Sequence, residues 1–120
     1  MTLTLAVDPV GKPRMTQRDR WKKRPVVLAY FAYRDEIKKQ AEEWVPPDYG
    51  LKILFVIPMP ASWSGVKKAK MLGELHQQKP DIDNLLKAFF DCFGEDCHIA
   101  NVQATKRWGK TGEIRIGVKR

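Results

Sequence analysis

The chain has 120 residues, 43% of them hydrophobic, and carries 22 Lys and Arg against 14 Asp and Glu, a net charge of +8. That length makes one domain with a small core, and that charge makes polyanions its natural partners. With only Cys92, Cys97, His76 and His98, a disulfide framework and a zinc pattern are both excluded, and no apolar run is long enough to span a membrane. The N-terminus lacks a basic segment followed by an apolar one, so a cytoplasmic protein with free thiols is expected.

Thr2 to Val7 alternates polar and apolar residues, the period of a half-buried strand, and stops at Asp8-Pro9. Val10 to Pro25 then holds seven Lys or Arg in sixteen residues, with Gly11, Pro13 and Pro25 among them. Neither a helical nor a strand period survives there. The segment reads as a loop whose Lys12, Arg14, Arg18, Arg20, Lys22 and Lys23 face solvent or a phosphate backbone. Within it, Trp21 either stacks on an unpaired base or pins the loop to the core.

Residues 26–44 read as a helix with Val27, Tyr30, Phe31, Ile37, Ala41 and Trp44 among its apolar positions. Its first half is apolar nearly all round, which fits burial on two sides, a subunit interface being one way to achieve it. Pro46 and Pro47 end the helix, and Asp48-Tyr49-Gly50 form a turn. Leu51 to Ile57, LKILFVI, is the most β-prone run and reads as a central strand closed by Pro58 and Pro60. Residues 61–78 admit two readings: a short basic helix over 65–72 capped by Ser64 and bearing Lys67, Lys68 and Lys70, or a flap that orders on a ligand. Trp63 again lies among lysines.

The stretch from Lys79 to Asp96 holds four Asp, one Glu and two Lys in eighteen residues of an otherwise basic chain. Ile82, Leu85, Leu86, Phe89, Phe90 and Phe93 recur at the spacing of one apolar stripe, so a helix is expected over 81–93, with Gly94 as its C-cap. Its other face carries Asp83, Asn84, Lys87 and Asp91. A strand around 98–107, a glycine turn at 109–112 and a last alternating strand with Ile114, Ile116 and Val118 look like a hairpin. The sum is a single α+β domain over residues 1–120, a roughly four-stranded mixed sheet packed with two or three helices.

Two readings compete for the acids. In one, Asp81 caps the helix, Asp83 favours its dipole, and Asp83, Lys87 and Asp91 form an exposed ion-pair ladder of roughly 0.3–0.5 kcal/mol per pair. In the other, Asp81 and Asp83 offer carboxylate oxygens to Mg²⁺, a cation commonly held by one or two carboxylates plus a phosphate, and Lys87 meets that phosphate one turn along.

The run KPDIDNLLKAFFD at 79–91, the following EDCHI at 95–99 and the later Lys106 resemble the RusA-type Holliday junction resolvases, particularly their phage-borne relatives. The likeness covers 79–106 and extends more loosely to GKPRMT at 11–16 and to the central strand. It implies small homodimers that bind four-way DNA junctions and nick two strands symmetrically with Mg²⁺ or Mn²⁺. By position, the essential acids fall on Asp81, Asp83 and Asp96 as metal ligands and the essential lysine on Lys87, with Asn84 and Asp91 in support. Where the family has two aspartates and then, after one residue, glutamine, this chain has Glu95-Asp96 followed by Cys97-His98, so either Glu95 or Asp96 is the third ligand. Lys67, Lys68, Lys70, Lys79 and Lys106 join the basic loop as expected DNA contacts, with no membrane or small-molecule partner. The alternatives are a metal-dependent nuclease of other specificity, such as a flap or nicking enzyme, and a non-catalytic basic DNA-binding protein.

Overall fold

The sheet is built around Leu51–Pro58, here β2, in a computed structural model that describes residues 2–14, 24–47 and 50–118. The other elements are β1 (Thr2–Leu5), α1 (Pro25–Gln40), α2 (Gly65–Met71), α3 (Ile82–Phe90), a 3-10 turn at Asp91–Phe93, β3 (Val102–Gly109) and β4 (Glu113–Val118). The strands lie in the order β1-β4-β2-β3; β2 and β3 are parallel and the other pairs antiparallel. Among the described residues the fold is α+β with a four-stranded mixed sheet and three helices, as the periodicities predict.

Register decides which side chains share a face. Leu5 pairs with Ile114, Ile114 with Phe55, Ile116 with Ile53, and Leu51 with Val102, so one face of the sheet is apolar. All of these except the half-buried Val102 are fully or almost fully buried. Onto this face α1 lays Val27, Tyr30, Tyr33 and Ile37, and α3 lays Leu85, Ala88, Phe89 and Phe90. Pro25 opens α1 at a position whose missing N–H would have no helical partner, and Lys38 and Lys39 complement its C-terminal dipole. Gln40 bonds both backbone groups of Ala6, which ends β1 at Leu5 and not at Val7. At the other end of α3, Gly94 takes φ +84°, a conformation that favours glycine, and breaks the helical path.

The expected β3-β4 hairpin does not form. The most apolar strand, β2, takes the central place and accepts β3 on one side and β4 on the other. Residues 110–112 therefore step over the end of β2, about 10 Å at ordinary strand spacing and within the roughly 13 Å reach of four Cα–Cα steps. Met59 N–H donates to Gly109 C=O at 3.0 Å beneath that step. The strand expected at 98–107 is displaced to 102–109, because residues 97–98 turn and Ile99 N–H returns to Asp96 C=O.

The segment 61–78 takes the helical reading. Ser64 Oγ accepts Lys67 N–H at 3.2 Å and starts α2. Beyond α2, the backbone runs along the free edge of β3, with Gly73 and His76 donating to Trp108 and Lys106 and Trp108 donating to Glu74. That covers an edge otherwise open to foreign strands. Trp63 packs on Trp108 with ring centres 4.7 Å apart, and Lys67 lies over Trp63 at 4.2 Å, so Trp63 is a packing residue. Cys92 is buried, Cys97 is exposed and both are free thiols. No helix of the described residues is long and apolar enough to cross a membrane.

Candidate active site

The site begins where the chain enters α3. Asp81 occupies the N-cap position, yet its side chain makes no capping bond; the first-turn contacts are backbone ones, from Asn84 and Leu85 N–H to Asp81 C=O. Asp83 follows in the first turn, exposed like Asp81. Neither carboxylate has a hydrogen-bond or ion-pair partner among the described residues. Both open into a cleft of about 700 Å³ whose walls include Gly11, Lys12, Lys79, Pro80 and Asn84. Asp81 and Asp83 are thus brought together as expected, with Asn84 and Lys79 beside them.

The opposite wall is the start of the basic loop. Lys12 N–H donates to Asn84 C=O at 3.4 Å, and a β-carbon at Gly11 would lie 2.7 Å from the Asn84 side-chain nitrogen and 3.1 Å from Pro80. Only glycine allows so close an approach without displacing Asn84. The Lys12 ammonium pairs with Asp91 Oδ2 at 2.5 Å, and Tyr30 O–H donates to the same oxygen at 2.8 Å. Burial pushes the Asp91 carboxyl up, but the bonds from Lys12 and Tyr30 and the charges of Lys12 and Arg34 outweigh it and hold it below its ordinary value. Asp91 therefore ties loop, α1 and α3 together. Lys12, expected at a phosphate, instead anchors the wall, and the Asp83-Lys87-Asp91 ladder does not form because Asp91 faces Lys12. Sequence reasoning missed Tyr30 as a partner, since nothing in an apolar helix pattern marks where a hydroxyl points.

Lys106 also departs from the expected phosphate contact. On β3 it pairs with Phe55, which turns it to the helix side, and its ammonium donates to the carbonyls of Gln78 and Pro80 at 2.5 and 2.8 Å. It holds the turn, with its cis Lys79–Pro80 bond, that presents Asp81. Lys106→Met should lower stability by about 2 kcal/mol, the scale of charge-assisted bonds. If Asp81 serves a cleavage reaction, its misplacement should also slow that reaction on the order of 10²-fold. Denaturant unfolding together with single-turnover cleavage checks both; an unaffected rate would mean that the turn keeps its shape without the lysine.

His76 lies behind this clamp, only 4% exposed and stacked on Trp108 with centres 4.3 Å apart. Burial, and then the nearby Lys106 charge, keep its pKa below the ordinary value. A depressed folded-state pKa stabilises the protein fully above the unfolded value near 6.5 and loses that contribution as pH falls towards the folded one. Urea midpoints should therefore fall as pH drops below about 6.5, and His76→Phe should flatten that slope. The Asp91 contribution is lost only at lower pH, below about 4, so the two windows separate.

Asp96 and Glu95 are not gathered with the pair. Among the described residues no three His, Cys, Asp or Glu side chains are placed to share one metal ion. The reason is geometric: α3 has nine residues and is about 13 Å long, and the chain beyond Gly94 leaves from the end opposite Asp81. His98 is likewise occupied elsewhere, its Nε2 3.3 Å from Pro46 O. Lys67, Lys70 and Lys87 are exposed on their helices and Arg14 is exposed in the loop after β1, while Lys68 is half-buried. Arg18, Arg20, Trp21, Lys22 and Lys23 lie outside the described residues, as do Asp48 and Tyr49 of the expected turn.

Residues 6–119 match the family model described as Endodeoxyribonuclease RusA, nearly the whole chain. The chain belongs to the RusA endodeoxyribonuclease family. No curated protein matches it. RusA-family proteins are Holliday junction resolvases that act on branched DNA. The cleft at Asp81 and Asp83 is in keeping with such an activity, because paired carboxylates beside lysines suit a phosphodiester held through a divalent cation.

Proposed function

We propose that this protein is a Mg²⁺-dependent endonuclease that resolves four-way DNA junctions by paired symmetric nicks in recombination and repair, acting in the cytoplasm as a homodimer. The observation that carries the reading is the pair of carboxylates, Asp81 and Asp83, that have no partner among the described residues and stand at the mouth of α3 in a cleft walled by Lys79 and the Lys12 loop. Two neighbouring acids left without a partner among the described residues of a chain of net charge +8 suit a cation that bridges them to a phosphate. Exposed Val26 and Leu28 on α1, 47% and 53% accessible, support a second copy packing there.

The donor set suits Mg²⁺, or Mn²⁺ in its place, because two carboxylates plus phosphate oxygens and waters meet the needs of a hard, six-coordinate cation. Asp81 and Asp83 would hold it, with Asp96 or Glu95 completing the set if the 94–101 connection moves on DNA. When bound, the ion polarises the phosphate and acidifies an attacking water. Lys87, one turn from Asp83, neutralises charge gathering on the phosphate oxygens. Asn84 and Gly11 pack the cleft wall beside Asp81, and Lys106 holds its turn. Lys79, Arg14, Lys67, Lys68 and Lys70 add phosphate contacts that orient DNA without reading its sequence.

A labelled synthetic four-way junction, with linear duplex and a flap alongside, should be cut into paired symmetric nicks in Mg²⁺ and left intact in EDTA. Equal cutting of the flap would make the enzyme a nuclease of other specificity. Tight binding without cutting in any metal would make it a DNA-binding protein.

A further inference from the structure

Among the described residues, α1 and α3 cover one face of the sheet and leave the other open except at its Val56 end, where Leu72 and Gly73 lie beside it. Parallel strand pairs are normally covered on both faces, yet β2 and β3 carry α1 and α3 on one side only. The register puts Lys52, Leu54, Gln103, Thr105, Arg107 and Arg115 on the open side, where they line a shallow hollow of about 420 Å³. Lys52, Arg107 and Arg115 are exposed cations on three adjacent strands, and Glu113 is the one acid that the described strands place there. Whatever covers this face meets a polar, cationic surface.

We propose that the bare sheet face binds the phosphate backbone of a duplex DNA arm, as a contact surface separate from the Asp81 cleft. The inference rests on the reading that the protein binds DNA. Charge selects the occupant: a second copy packed face to face would set these cations against their own images, a repulsive arrangement, whereas a polyanion is complementary. Size selects a polymer over a small anion. Arg107 and Arg115 stand two strands apart and two residues offset, about 12 Å between Cα atoms, and Lys52 lies four residues along β2 from Val56, the register partner of Arg107, so the three cations are spread over a length that several phosphates of a duplex match. Their local bonds, from Arg107 to Gly73 C=O and from Arg115 to Glu113, orient both guanidinium groups and leave other N–H donors for phosphate oxygens.

The test is binding of a synthetic four-way junction with arms of about two helical turns, roughly 20 bp, in EDTA across a series of salt concentrations. The double variant Lys52→Gln/Arg115→Gln should make the plot of log affinity against log salt shallower by about 2, and should weaken binding about tenfold at low salt. The charge-preserving Lys52→Arg/Arg115→Lys should keep the wild-type slope. An unchanged slope and affinity in a Gln variant with wild-type melting temperature would overturn the proposal. So would a lower sedimentation mass of the free Gln variant, which would make the face a subunit interface. A wild type that binds neither junction nor duplex would overturn the DNA-binding reading itself, an outcome distinct from a silent variant of a protein that binds.

Discussion

Asp83→Asn should abolish cleavage while leaving junction binding intact. Asparagine keeps the shape and the helix but removes one of two charges that would hold the cation, and among the described residues Asp83 has no hydrogen-bond or ion-pair partner to lose beyond its favourable place in the first turn of α3. Metal assistance supplies several kcal/mol of transition-state stabilisation; losing about 4 kcal/mol slows the reaction about 10³-fold. Asp81→Asn should behave alike, since its carboxylate forms no capping bond. Single-turnover cleavage of a four-way junction, with gel-shift affinity and melting temperature on the same preparations, checks the claim. Cutting at the wild-type rate would remove these acids from the chemistry. Asp96→Asn in the same assay asks a separate question: a loss as large would mean that the connection after α3 swings to the cleft when DNA binds.

The largest expected effect on stability is at Phe89. Its ring is fully buried on α3 and meets Trp44 and Phe93 at 6.2 and 5.1 Å between centres. Truncating a buried Phe to Ala costs about 3–5 kcal/mol, through lost burial and the cavity left behind. Small domains hold only about 5–15 kcal/mol in total, so Phe89→Ala should leave a substantial unfolded fraction. Urea unfolding should show a much lower midpoint with an unchanged slope. Val66→Ala, at a site 83% exposed, should stay within about 0.5 kcal/mol of wild type and serves as the control.

The two effects separate cleanly because α3 has two faces. Its apolar stripe, Leu85, Ala88, Phe89 and Phe90, anchors the helix on the sheet. Its opening turn presents Asp81 and Asp83 to the cleft. On the proposed reading, stability and chemistry therefore depend on different side chains of α3 and its N-cap residue.

Much of this was legible in the order of residues, because it depends on local period and on residue type. The α3 stripe, the alternation of β1 and β4, the apolar run of β2 and the Ser64 cap of α2 are short-range signals, and each element stands where its signal does, except that β1 stops at Leu5. The placement of Asp81, Asp83 and Asn84 together was equally legible, since residues two or three apart at a helix mouth must be neighbours. What local pattern could not carry was pairing between distant segments. Nothing in Val102–Gly109 states that it will lie parallel to β2 and not fold back on β4. Only the competition for the central strand decides that. The partners of Lys12, Tyr30 and Asp91, the turn of Lys106 towards Gln78 and Pro80, and the distance of Asp96 from the acid pair all follow from that sheet order and from the length of α3. Charge and spacing determined what chemistry the chain carries; the tertiary structure decided which charges are free to perform it, because an ammonium or carboxylate is available to a ligand only where no neighbour from another element has already satisfied it.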